Sequence, residues 1–266
     1  SSGSSSVGRA HDGVDRVIGT VEFSAGGYRY IPGVFQYSAG VIALPGFEVV
    51  HARFRTPIRL ADGFKRIAEH LTAEGRPLTA LCGCELRSPE PFSEGGFRAF
   101  NEIYVGTLSE WGIFKERNNP VARSNVCPEI APPAEPSFYA FSYTVPAPVA
   151  GPTAVIAGSG EVPEGRSNYR DHIVRLGDTA PEGLAEKARW VLGEMERRLG
   201  AVGLTWGHVT STQVYTVHDL YPFLADEIVA RGAASHGLVW HYCRPPIVDL
   251  DYEMDCRSVR RELVID

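Results

Sequence analysis

An internal register constrains this chain more than any other feature. Gly63-Phe-Lys-Arg-Ile-Ala-Glu-His-Leu71 has the spacing of a short amphipathic helix, Gly75 closes it, and Leu78–Leu86 reads as a strand. The same order returns later. A helix starts after Thr179-Ala-Pro181, with proline in the first turn and Glu182 placed to suit the helix dipole. Its apolar stripe is Leu184, Ala188, Val191, Leu192, Met195 and Leu199, and Gly200 and Gly203 end it. A Thr/Val/Tyr-rich strand, Thr205–Val217, follows. Leu199 stands 128 residues after Leu71, and Gly203 stands 128 after Gly75, so helix, terminator and strand superpose without a gap. Upstream, Phe35–Gly40 pairs with Val155–Gly160 at an offset of 120, which calls for a short insertion in the second half. The chain is a diverged tandem duplication, and its 266 residues suit two small cores.

Each half then holds strands, a helix, a strand, a second helix and closing strands. The second helix of the later half is expected at Leu220–Arg231. The closing strands are Pro136–Val145 in the first half, and Gly237–Cys243 and Val248–Cys256 in the second. This pattern predicts an α+β protein of two repeats, each a mixed sheet with two helices on one face. The expected boundaries are a lead-in at 1–22, a first repeat at 23–147 and a second at 148–266, joined by the Pro/Ala stretch Val145–Pro152. Ser1–Ser6 has the composition of a flexible tail. No apolar run approaches the roughly 18 residues of a membrane-spanning helix. A net charge of −6 without a Lys/Arg run argues against nucleic acid as a partner. Five cysteines without scaffold spacing point to a reducing, cytoplasmic setting.

The pattern resembles the RidA-like family, the reactive-intermediate imine deaminases, over roughly Tyr28 to Val259. The matching segments are the Ser-Gly turn in Ala157-Gly-Ser-Gly-Glu-Val-Pro163, the helix-turn-strand of Gly200–Val217, Asn101-Glu-Ile-Tyr104, the Ala-Arg-Ser strand start Ala122-Arg-Ser-Asn-Val126, and the acidic closing strand Asp251–Asp255. By register, the second half carries His236-Gly237 where the family has its arginine, and the first half carries Phe138–Tyr143 where it has its acid. The resemblance therefore implies one composite site, Arg123 from one half and Glu253 from the other, in a cleft between two unequal domains. It also implies a chorismate-mutase-like fold, assembly as a homo-oligomer, most simply of three chains, and sites at interfaces.

Arg123 offers a planar guanidinium to a substrate carboxylate, the alternative being a surface salt bridge. Strict alternation puts Asp249, Asp251, Glu253 and Asp255 on one side of a strand. That face is either solvated, or a Mg²⁺ site, or presents Glu253 as a general acid/base that activates water. Ser159 and Gly160 lie at the turn where the family brings donors to substrate, with Ser38–Gly40 as counterpart. His241, Cys243 and Arg244 could add a second carboxylate anchor or a proton carrier, or simply pack. Cys82-Gly-Cys84 lacks a second pair at zinc spacing, and no Walker, GxSxG, HExxH or dinucleotide fingerprint occurs. Neither cofactor nor metal is expected. The implied activity is hydrolytic deamination of an enamine or imine carboxylate. The muconate-pathway members act on 2-aminomuconate-type dicarboxylates from aromatic ring cleavage, and Tyr104 and Tyr139, with Arg244 and His241, could suit such a two-ended substrate. A chorismatase-like hydrolase or lyase and a non-catalytic binding module are the alternatives.

Overall fold

The computed structural model describes residues 19–148 and 151–266. The Ser1–Ser6 tail and part of the Val145–Pro152 linker lie outside them. The chain runs β1 (Val21–Phe23), β2 (Tyr28–Ile31), β3 (Gly40–Ala43), β4 (Phe47–Arg59), α1 (Leu60–Ala73), β5 (Leu81–Arg87), α2 (Glu94–Glu110), β6 (Ala122–Pro128) and β7 (Ser137–Pro146). It continues through β8 (Ala154–Gly160), α3 (Pro181–Ala201), β9 (Ser211–Tyr215), a helical stretch at 221–229, β10 (Val239–His241), β11 (Cys243–Arg244), β12 (Glu253–Ser258) and β13 (Glu262–Ile265).

The duplication is visible in the strand ladders. One sheet contains the order β6-β5-β7-β4 and the other β10-β9-β12-β8. In both, the first pair is parallel and the next two are antiparallel. Gly75 and Gly203 both take left-handed backbone angles, φ 69° and 76°, where a side chain would be strained. Short 3₁₀ turns at Leu78–Ala80 and Trp206–His208 keep the offset of 128. The sheets lie face to face, and each carries its helices on its outer side. Ile67 and Leu71 of α1 and Phe100 and Tyr104 of α2 pack on Ala52, Leu86 and Phe141. Leu192 and Met195 of α3 pack on Ile156, Val214 and Met254. Ala122, Cys82, Val41 and Ala157 fill the space between the sheets.

Three expectations need correction. The counterpart of β8 is β4, not Phe35–Gly40: Ala52 lies opposite Phe141 as Ile156 lies opposite Cys256, an offset of 104. Gly40 instead opens β3, which pairs with β8 in the same sheet. The second half is therefore 24 residues longer between β8 and α3 than its twin, and most of the extra length is the loop at 161–180. The second helix of the later half is confined to 221–229, and most of it is wound as a π-helix over Leu224–Val229. The acidic run does not lie on one strand face. Asp249 sits in a left-handed turn with φ 76° and pairs with Arg170 at the surface, and β12 begins only at Glu253.

The two halves also trade edges. The N-terminal strands β1, β2 and β3 extend the sheet of the second half, while β11 and the C-terminal β13 extend the sheet of the first. Among the described residues no helix is long and apolar enough to cross a membrane.

Candidate functional site

Alternation along β6 sends Ser124 toward the facing sheet and Arg123 outward beneath α2. Arg123 is 2% exposed, and none of its three guanidinium nitrogens has a hydrogen-bond partner. Its charged plane is enclosed by aromatic rings, with the centroids of Tyr104, Tyr37, Phe97 and Phe100 at 4.7, 4.9, 5.6 and 5.7 Å. The α2 spacing of Phe97, Phe100, Asn101 and Tyr104 puts all four on the face that meets the arginine. Burial lowers the Arg123 pKa, opposed by Tyr104 and Tyr37. A buried cation with five idle donors is costly to hold, and the geometry suits an incoming carboxylate.

Glu253 opens β12 and is 4% exposed, so the solvated-face alternative does not hold. Its Oε2 has no hydrogen-bond partner. Burial, reinforced by Asp255, Glu164 and Glu161, pushes the Glu253 carboxyl well above the usual carboxylate range, which favours its neutral form. Asp255, two residues on and on the same face, accepts hydrogen bonds from Ser124 Oγ at 2.6 Å and Tyr215 Oη at 2.8 Å. Burial and Glu85 push the Asp255 carboxyl up to about 6 against those bonds. Tyr252 and Met254 point the other way, into the core beneath α3.

Arg123 and Glu253 line one cavity of about 20 Å³, together with Ser124, Asn125, Phe97 and Gly158. That volume is the space of a single water molecule. Gly158 keeps it open: a Cβ there would stand 3.0 Å from Ser124 Oγ and 3.2 Å from Glu253 Oε2. Phe97 is also a wall of a groove of about 810 Å³, which Asn101, Gln36 and Tyr169 line as well. Asn101 Oδ1 and Gln36 Oε1 are buried without partners. The cavity and groove thus meet at Phe97, with unsatisfied polar groups on both sides.

The other sequence candidates fall elsewhere. Ser159 faces away from the cavity, gives its hydroxyl to the Gly160 carbonyl at 3.0 Å, and lines a second pocket beside Arg198 and Glu164. Gly160 shares Gly158's face, and a Cβ there would reach 3.7 Å from Glu253 Oε1. Ser38, its proposed counterpart, spends its hydroxyl on the Pro120 carbonyl. Arg244 is held in a bidentate pair by Glu129 at the surface, 2.7 and 3.1 Å away. His241 stacks on Tyr215 at 4.9 Å, and burial lowers its pKa to about 4. Cys243 packs against Val126 and Tyr215, with its thiol pushed up to about 11 by burial. Neither lines the Arg123 cavity, so the expected anchor at 241–244 is not assembled there. In the second half, the ladder position equivalent to Arg123 is Leu238, slightly beyond the expected His236-Gly237 and equally without an arginine. Gly158, Ser124, Tyr37 and Asn101 are the lining groups that sequence reasoning missed. The signal was present for Gly158, since Gly-Ser-Gly on a buried strand puts both glycines on one face. Among the described residues no cluster of three His, Cys, Asp or Glu side chains could hold a metal.

Residues 20–263 match the family described as 2-aminomuconate deaminase CnbZ. The chain belongs to the CnbZ family. One relative is the 2-amino-5-chloromuconate deaminase of Comamonas testosteroni, 52% identical over 247 residues, which are 92% of this chain and 98% of the relative. Among solved structures, the YjgF gene product from E. coli is 21% identical, covering 41% of this chain and 81% of its own, with a TM-score of 0.29. A chorismatase is 12% identical, covering 90% and 79%, with a TM-score of 0.48. The CnbZ match spans both repeats, so Arg123 and Glu253 both fall inside it.

Proposed function

We propose that the protein is a hydrolytic, cofactor-independent deaminase that converts a 2-aminomuconate-type enamine dicarboxylate into the oxo acid and ammonia. The observation that carries this reading is the cavity shared by an unpaired guanidinium and a raised carboxyl. The membership in the CnbZ family and the chloromuconate-deaminating relative support the substrate class.

Arg123 binds the carboxylate next to the amino-bearing carbon through two parallel N–H donors. Protonated Glu253 gives its proton to the neighbouring enamine carbon, which turns the C–N bond into an iminium and makes its carbon electrophilic. The resulting carboxylate takes a proton from a water in the cavity as that water attacks. The proton then passes to nitrogen, ammonia leaves, and the hydroxyl proton of the tetrahedral adduct returns to Glu253. One water is consumed, one ammonia is released, and the carboxyl ends as it began. Phe97 lines both the cavity and the groove, and the cavity alone has room for one water, so substrate reaches Arg123 from the groove as the Phe97 ring turns aside and joins the two spaces.

We further propose a homo-oligomer, most simply a trimer, in the cytoplasm, a reducing setting in keeping with five unbridged cysteines. The decisive assay is ammonia release from 2-aminomuconate by the wild type, Arg123→Ala and Glu253→Gln. Loss in both variants with retained folding supports the reading; full activity in either overturns it. Pyruvate formed from chorismate would identify a chorismatase instead. Light scattering on the eluting protein reads the assembly.

A further inference from the structure

The arginines on the surface of this protein are mostly paired. Arg170 meets Asp249, Arg189 meets Glu227, and Arg244 meets Glu129. Three others, Arg98, Arg117 and Arg166, are exposed, line the same 810 Å³ groove, and have no carboxylate partner among the described residues. They come from three separate segments: α2, the turn before β6, and the loop at 161–180 that only the second half possesses. The one acid lining the groove is Glu94, whose Oε1 already accepts the Asn168 backbone N–H at 3.0 Å. Local field and free donors in this groove therefore favour an anion.

Arg117 carries a second sign of purpose. Glu116 and Arg117 both have positive φ, 51° and 60°, at the centre of a tight turn closed by Lys115 and Asn118. Asn-Gly is the unstrained choice for such a turn, and a long cationic side chain is a strained one. The strain sets the Arg117 guanidinium 4.6 Å over the Phe35 ring, at the wall of the groove.

The geometry points to a second anion site: Arg98, Arg117 and Arg166 clamp the far carboxylate of the dicarboxylate whose near carboxylate meets Arg123. Phe97 lies between the two sites and lines both cavities. This assignment rests on the substrate class proposed above, and it makes the inserted loop a determinant of specificity for two-ended substrates.

The test measures binding of trans,trans-muconate and of sorbate, its counterpart with a methyl group in place of one carboxylate, to the full chain by calorimetry. In the Arg98→Gln, Arg117→Gln, Arg166→Gln triple variant, muconate affinity falls about tenfold or more while sorbate affinity changes less than about twofold. Arg117→Gly serves as the folding control: it relieves the turn, so the unfolding midpoint rises while muconate affinity falls. Equal losses for both ligands, no loss for either, or no muconate binding by the wild type overturns the clamp. Ammonia release from 2-aminomuconate distinguishes the two readings. If the wild type deaminates and the triple variant keeps its KM, the clamp falls and the deaminase stands. If the wild type releases no ammonia yet binds muconate through these arginines, the deaminase falls and the clamp stands.

Discussion

Replacing Arg123 by methionine should make the protein more stable and inactive at once. The buried guanidinium has no hydrogen-bond acceptor, and removing such an ion from water costs several kcal/mol even after relaxation. Four aromatic rings between 4.7 and 5.7 Å return part of that cost. At roughly 0.5–1 kcal/mol for each ring, the return is about 2–4 kcal/mol in total. A deficit of about 1–3 kcal/mol remains, and methionine, similar in length and content among aromatic rings, removes it. For a chain of this size that corresponds to a rise of roughly 3–10 °C in the unfolding midpoint. Two charge-assisted hydrogen bonds to the substrate carboxylate are worth about 1.5–3 kcal/mol each, so kcat/KM should fall by about 10²–10⁴. Urea unfolding and ammonia release, measured on the same preparations, read both effects. Saturating muconate should raise the stability of the wild type more than that of the variant, which keeps only the contacts to the far carboxylate. A variant destabilised by more than about 1 kcal/mol would show that the guanidinium is a structural tie, and the reasoning would be refuted.

Gly158→Ala puts a methyl 3.0 Å from Ser124 Oγ and 3.2 Å from Glu253 Oε2, so it should fill the water-sized space. The expected result is a kcat lower by about tenfold or more with under about 1 kcal/mol lost in stability, and unaltered turnover argues against that water. Glu161, buried beside Lys187 and Asp251, has its pKa raised by burial to about 8. The folded state therefore holds this proton more tightly than the unfolded chain, so its contribution is present below about pH 4.5 and is lost as pH rises toward 8. The difference in stability between wild type and Glu161→Gln should fall across that window by up to about 1.4 kcal/mol per pH unit, and a flat difference curve contradicts the assignment. Arg244→Ala, which breaks only the surface pair with Glu129, should change turnover less than about twofold and stability by less than about 1 kcal/mol, as steady-state kinetics and urea curves will report.

The duplication was legible because helix periodicity and a left-handed glycine are local signals: Leu71 and Leu199, and Gly75 and Gly203, needed no tertiary information. Arg123 and Glu253, which line one cavity, could both be picked out as candidates, through the Ala-Arg-Ser start and the acidic strand. What periodicity could not supply was which side of a buried strand meets which neighbour. Ser159 looked like the donor, yet on β8 it is the flanking glycines that face Glu253. The β4–β8 equivalence was obscured because the 161–180 loop shifts the offset, and an alignment by Ser-Gly similarity settled on Phe35–Gly40. Arg244 was misjudged for a different reason. Its partner Glu129 is distant in sequence, and only the pairing of β11 with β6 brings them together.

The exchange of edge strands bears on how this chain can fold and be divided. With β13 laid parallel to β4, and β1–β3 completing the opposite sheet, neither repeat owns its whole sheet. Severing the peptide between β7 and β8 would leave one fragment without β11 and β13 and the other without β1–β3. Each would present raw sheet margins that only the other could cover. The repeats are therefore obligate folding partners, expected to melt in a single transition and to wait for the last residues of the chain before either is complete. Two fragments made together should recombine into one particle, whereas either made alone should aggregate through its uncovered strands.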